Sequence, residues 1–136
     1  MPRARRLLET CLYVDDLDRA GDFYERTFEL ELMHADARMR AYAVGDTVLL
    51  LFPRGQSLRA VETPGGTIPP HDGSGPLHVA FAVDADELPR WEQRLKDDGI
   101  EIEGRVHWLR GGVSIYFRDP DGHLLEVATP GLWPNY

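Results

Sequence analysis

The sequence predicts an α+β fold: two tandem βαβββ modules forming a curved mixed sheet or half-barrel cup with helices on the outside. Three observations predict it. Strictly alternating segments open the two halves, LETCLYV at Leu8–Val14 and LHVAFAV at Leu77–Val83, at an offset of 69 residues. A helix-period stretch follows each one, and strand signals follow each helix. The turns Gly45-Asp46 and Asp121-Gly122 then close a hairpin in each half. Duplication on this scale constrains the architecture before any single motif is read. The modules span 7–53 and 77–129 of one domain, and a Pro/Gly-rich connection occupies 54–76.

The elements follow in order. In Leu8–Val14, Leu8, Thr10, Leu12 and Val14 share one face, while Glu9, Cys11 and Tyr13 share the other. Asp15 or Asp16 caps a helix in which Leu17, Ala20, Gly21, Tyr24 and Phe28 recur at helical spacing, through about Thr27. Glu29–His34, Met39–Val44 and Thr47–Phe52 read as strands. The second half repeats this order. Leu88, Trp91 and Leu95 mark a helix that stops at Asp98-Gly99, and Glu101–Trp108 reads as a strand. The last hairpin pairs Val113–Arg118 with Leu124–Ala128 around Asp119-Pro120-Asp121-Gly122, where Pro presets φ and Gly takes the left-handed position. The tail TPGLWPNY is too rich in Pro and Gly for a regular element, although Trp133 and Tyr136 are able to pack down.

A chain of 136 residues with 43% apolar and 28% charged side chains suits one globular domain. A net charge of −8 argues against nucleic acid, whose binders need a basic footprint. No apolar run approaches a membrane span, and MPRARRLLET lacks the apolar core of a signal peptide. With Cys11 as the one cysteine, no internal disulfide forms, which fits a reducing cytoplasm.

The chemistry gathers on the second face of the strands. Glu9, His78 and Glu126 fall there at corresponding depths of their strands. A carboxylate in mid-strand between Leu125 and Val127 is costly unless solvated, paired or metal-bound. Two carboxylates and one imidazole suit a divalent cation (Zn, Mn, Fe, Ni or Co) and leave positions open for substrate. The plainer readings are an edge-strand carboxylate for Glu126, a buried histidine for His78, and a surface ion pair with Arg5-Arg6 for Glu9.

LLETCLYVDDLDRAGDFYERTFELEL, LHVAFAV and IYFRDPDGHLLEV together resemble the vicinal oxygen chelate superfamily, the glyoxalase/bleomycin resistance/dioxygenase group. The resemblance covers nearly the whole chain. It implies metal ligands at Glu9, His78 and Glu126, a small-molecule substrate and a homodimer in which the cup is sometimes completed across chains. Glu9 stands where many members have His, which also departs from the two-His, one-Glu set of extradiol dioxygenases. Leu50 stands where a glyoxalase I carries a Glu. Tyr116, ten residues before Glu126, and Ser114 resemble fosfomycin-modifying transferases, but the acidic potassium loop and a tail arginine are missing.

Around the ligands, Tyr116 is the candidate contact to an oxyanion, and His71 in PPHDGSGPLH is a candidate base or donor, or simply an exposed loop histidine. Tyr13 and Ser114 share the cup face. Arg110 and Arg118 are candidates for an anionic substrate, with Asp119 or Asp121 as alternative partners for Arg118. Trp91 and Trp108 read as core. The expected function is metal-dependent catalysis that chelates a small oxygen-rich substrate and stabilises an oxyanion. The alternative is a metal-free, bleomycin-resistance-like module that sequesters a drug or other ligand.

Overall fold

Alternation builds both sheets. A computed structural model describes residues 1–136, in two units, Met1–Gly75 and Pro76–Tyr136. In the first unit, β1 (Glu9–Val14) is followed by α1 (Leu17–Phe28), β2 (Glu31–Ala35), β3 (Arg40–Val44) and β4 (Thr47–Pro53). The sheet order is β1-β4-β3-β2, with β1 parallel to β4 and the other pairs antiparallel. Leu12, Val14, Leu49 and Leu51 form one buried row with Tyr24 of α1 and Tyr42 of β3. Glu9, Cys11, Tyr13, Leu50 and Phe52 line the opposite face.

Asp16 caps α1 by accepting from the Arg19 backbone N–H at 3.0 Å. The helix stops at Glu29, which adopts the left-handed region with φ 53°. That conformation cannot start a strand, so β2 begins at Glu31 rather than at Glu29. Gly21 is required by the helix–sheet contact. A Cβ there lies 2.7 Å from the hydroxyl of Tyr42, a buried side chain that also donates to Glu25 at 3.2 Å. Gly21→Ala is therefore expected to destabilise the protein by about 1–2 kcal/mol, with overpacking outweighing the gain in helix propensity. Urea denaturation measures it, and an unchanged midpoint would refute the contact argument.

The 54–76 segment is more ordered than a plain connection. It holds a two-stranded antiparallel ribbon, β5 (Val61–Thr63) and β6 (Gly66–Ile68). Such strands are too short for an alternation signal to register. Ser57 and His71 are joined twice, by His71 N–H to Ser57 O at 2.9 Å and by Ser57 Oγ–H to His71 O at 2.6 Å.

The second unit repeats the plan. β7 (His78–Ala82) leads through a 3-10 turn (Ala85–Glu87) to α2 (Leu88–Asp97), β8 (Gly104–His107), β9 (Val113–Arg118) and β10 (Leu124–Ala128). The sheet order is β7-β10-β9-β8, with β7 parallel to β10. Phe81, Ile115, Phe117, Leu125 and Val127 bury the apolar face together with Leu95 of α2. The turn before β10 is built as the sequence predicts. Gly122 has φ 83°, and Asp119 Oδ1 accepts the backbone N–H groups of Asp121 and His123, each at 2.9 Å.

Three expectations are corrected here. β8 starts at Gly104, not Glu101, because only from Gly104 onward does the segment keep ladder register with β9. Trp91 and Trp108 are half-buried rather than core, and Trp91 carries the Arg94 guanidinium over its ring at 5.9 Å. In the tail, Tyr136 packs down and donates to Ala128 O at 2.6 Å, whereas Trp133 is 65% exposed.

Candidate active site

β10 lies between β7 and β9, so Glu126 sits in a central strand opposite Ala80 on one side and Tyr116 on the other. It is only 4% exposed. Its carboxylate is held in two directions. Ser114 Oγ–H donates to Oε2 at 2.5 Å, and Trp108 Nε1–H donates to Ser114 Oγ at 2.8 Å. Because the indole occupies one lone pair of Ser114, the serine proton goes to the carboxylate. Oε1 is left facing His78 Nε2 at 3.3 Å.

The other end of His78 fixes the tautomer. Nδ1 lies 2.8 Å from the Leu124 carbonyl, an oxygen that only accepts, so Nδ1 carries the proton. In the neutral ring, Nε2 then presents its lone pair to a carboxylate oxygen. Two electron pairs at that separation repel unless a proton or a cation lies between them. A histidine oriented through its remote N–H to a backbone carbonyl is the usual second-sphere arrangement of a metal ligand. The pair therefore fits a divalent cation by its donor chemistry. No group of three or more His, Cys, Asp or Glu side chains gathers for a metal within the chain.

Tyr116 flanks the pair, with its ring stacked on that of His78 at 6.2 Å. Burial, and then the Glu126 charge, raise its phenol pKa and keep it a proton donor. Ser114 is fully buried and spent on Glu126, so it supports the carboxylate rather than facing a ligand. Arg118 donates to Glu103 at 2.9 Å and to the Gly122 carbonyl at 3.1 Å, in place of the expected Asp119 or Asp121. Arg110 is exposed in the turn between β8 and β9.

The first unit contains a cavity of about 520 Å³. Glu9 lines it at the start of β1. Of the two basic neighbours expected for Glu9, Arg6 is engaged elsewhere, pairing with Asp46 at 3.1 Å. Tyr13 and His71 form a dyad on the same wall, with the phenol oxygen 2.7 Å from Nδ1. Burial first, then the Cys11 contact and the charges of Cys11 and Asp72, push the Tyr13 phenol from its ordinary 10.0 up to about 12. Gly73 permits this packing, because a Cβ there lies 2.4 Å from the Tyr13 ring.

The two units also match position by position. Glu9 pairs with Val48, and His78 pairs with Leu124, so Leu50 occupies in β4 the place of Glu126 in β10. The sequence profile of the Glyoxalase/Bleomycin resistance protein/Dioxygenase superfamily matches residues 6–127. The chain belongs to this superfamily.

Within the superfamily, the chain is 32% identical over 121 residues to the metallothiol transferase FosB of Bacillus licheniformis, covering 88% of this chain and 72% of that protein. The crystal structure of lactoylglutathione lyase from Agrobacterium tumefaciens superposes with a TM-score of 0.88 at 34% identity, covering 98% of this chain and 99% of the other. The fosfomycin resistance protein FosX of Listeria monocytogenes shares the fold, with a TM-score of 0.66 at 22% identity, over 95% and 94% of the two chains.

Trp108 is the functional residue the sequence reading missed. Alternation from Gly104 through Val106 places it on the Glu126 face, because Gly104 pairs with Tyr116 and Val106 with Ser114. That signal was present in the sequence, but a tryptophan on a strand reads first as core.

Proposed function

We propose that the protein is a metal-dependent enzyme that chelates a small oxygen-rich substrate on a divalent cation and works on a thiol or a thiol adduct. The observation that carries this reading is the His78–Glu126 pair, a tautomer-fixed imidazole facing an oriented carboxylate oxygen at 3.3 Å. Relatives named for thiol transfer and for lactoylglutathione cleavage support the reaction class. They also disfavour a metal-free sequestering module. Zn, Mn, Fe, Ni and Co all accept this mixture of oxygen and nitrogen donors.

In this reading Glu9 is the third ligand, supplied by the second copy of a homodimer working in the cytoplasm. When bound, the ion supplies Lewis acidity toward a developing oxyanion. The chain's own groups do the rest. Tyr116 offers its phenolic proton beside Glu126, Ser114 and Trp108 hold the carboxylate in place, and His71 exchanges a proton backed by the Tyr13 hydroxyl. With Leu50 in the fourth ligand position, the set stays at three and a coordination site remains open for substrate.

Elemental analysis of protein purified without a metal-affinity tag tests the proposal. About one equivalent of a transition metal per chain is expected. Protein that binds none of the five ions, by calorimetry at micromolar concentration, would overturn it.

The Trp108–Ser114 support has its own expected result. Trp108→Phe removes the indole donor but keeps an aromatic ring, so Ser114 is free to turn its proton away from Glu126. Metal affinity is expected to fall by about 10- to 100-fold, the usual cost of losing a second-sphere partner. Titration of the metal-stripped protein reads it, alongside an unchanged circular dichroism spectrum. Wild-type affinity in the variant would show that the indole does not orient the carboxylate.

A further inference from the structure

His78 is half-exposed, so few contacts orient its ring: the Leu124 carbonyl at Nδ1, Glu126 at Nε2 and the Tyr116 ring beside it. It also opens β7, directly after the Pro/Gly-rich connection. Where the backbone starts this strand therefore decides whether the imidazole meets the carboxylate. β7 bonds to β10 in steps of two residues, with Val83 N–H on Ala128 O at 3.0 Å and Leu124 N–H on Leu77 O at 2.8 Å. Carried back along the ladder, the Leu77 N–H belongs on the carbonyl of Gly122. Gly122 lies in the turn with φ 83°, and its carbonyl accepts from Arg118 at 3.1 Å instead. The Leu77 N–H goes to Nδ1 of His123, at 2.9 Å.

We propose, resting on the metal-binding reading of the His78–Glu126 pair, that His123 is a positioning residue: it holds the start of β7 so that His78 meets the carboxylate. Hydrogen bonds close a circuit between residues 77–78 and 123–124. His123 Nδ1 accepts the Leu77 N–H, Leu77 O accepts the Leu124 N–H, and Leu124 O accepts the His78 Nδ1–H at 2.8 Å. The anchor is itself rigid. His123 is fully buried, and Asp119 grips its backbone on both sides. Oδ1 of Asp119 accepts the His123 N–H at 2.9 Å, and the Asp119 N–H donates to His123 O at 3.1 Å. Because Nδ1 of His123 accepts, its ring proton sits on Nε2, the tautomer opposite to that of His78.

The first unit shows that the fold does not require this contact. Leu8 and Val48 there repeat Leu77 and Leu124, with Val48 N–H on Leu8 O at 2.9 Å. In the place of His123 stands Thr47, whose hydroxyl donates to Val44 O at 2.8 Å. The sheet forms in the same order without an imidazole at this point. What differs is the side chain that opens the edge strand, Glu9 in β1 and His78 in β7. A carboxylate has no remote N–H to orient, whereas an imidazole ligand depends on one. The buried acceptor accompanies the ligand that needs it.

Long-range proton–nitrogen correlation spectra of the metal-free full chain, at a pH where histidine rings are neutral, read both tautomers. Wild type is expected to carry the proton on Nε2 of His123 and on Nδ1 of His78. His123→Leu removes the acceptor and keeps the site filled. His78 is then expected to become a mixture of tautomers, and affinity for Zn or Mn, titrated into the stripped protein, to fall at least about tenfold. His123→Asn sets an amide oxygen near the place of Nδ1, and is expected to restore the single His78 tautomer and an affinity close to wild type. Asparagine is the smaller side chain, so a role in packing alone predicts the reverse order, and that order would overturn the proposal. So would an unchanged His78 tautomer in His123→Leu, whether or not metal binds. A proton on Nδ1 of His123 in wild type would do the same without any variant having to fold. Wild type that shows the expected tautomers and binds no metal would overturn the metal-binding reading instead.

Discussion

Glu126→Ala is expected to empty the metal site and to reduce kcat/KM by about 10³-fold or more, since a bound cation contributes several kcal/mol of transition-state stabilisation at about 1.4 kcal/mol per factor of ten. The carboxylate is the better held of the two paired donors, only 4% exposed and fixed from behind by Ser114 at 2.5 Å. Nothing beside it on β10 replaces an oxygen donor, because Leu125 and Val127 point to the apolar face. The isosteric Glu126→Gln separates chemistry from packing. In metal-free protein, this variant is expected to be as stable as wild type or more so. A buried carboxylate costs desolvation energy that an amide of the same shape largely avoids. Opposite movements of thermal midpoint and metal content would mark Glu126 as a residue kept for function. Full metal occupancy in Glu126→Ala would end the assignment.

How far the sequence reads depends on the length of each pattern. β9 and β10 show at once, because a Pro-Gly turn with strict alternation on both sides leaves one register. β1 and β7 show almost as well, and their match across the repeat brought Glu9 and His78 into view. That His78 and Glu126 share a face follows from alternation, since Glu126 is in register with Ala80, two residues along β7 from His78. What the sequence hid is short-range geometry. β5 and β6 have three residues each, too few for a period to show. His123 falls between the Asp119–Gly122 turn and the return strand, where no pattern marks it. In the structure it is fully buried, and its Nδ1 accepts the Leu77 N–H at 2.9 Å, tying the start of β7 to β10. The roles of Ser114 and Arg118 depend on which neighbour wins their hydrogen bonds. Trp108 and Glu103 win them, and no spacing rule contains that choice.

Phe117→Ala is expected to cost about 3–5 kcal/mol, the largest loss of stability from a single side chain of the second unit. Three facts set the magnitude. The ring is fully buried, and its cross-strand partner Leu125 is fully buried as well. The neighbours that would have to close the void, Ile115 and Val127, are β-branched residues on a hydrogen-bonded ladder, so they cannot swing into it. The unit is also small. Residues 76–136 form their own sheet and helix, and a core of that size has little stability to spare. The same strand holds Ser114 and Tyr116 on its other face, so unfolding of β9 also removes the support of Glu126. Phe117→Leu keeps most of the volume and is expected to cost less than half as much, with metal binding retained. Guanidinium denaturation followed by circular dichroism measures both variants. A loss below about 1 kcal/mol for the alanine variant would show that the void collapses, and that this face of β9 is not rigidly packed.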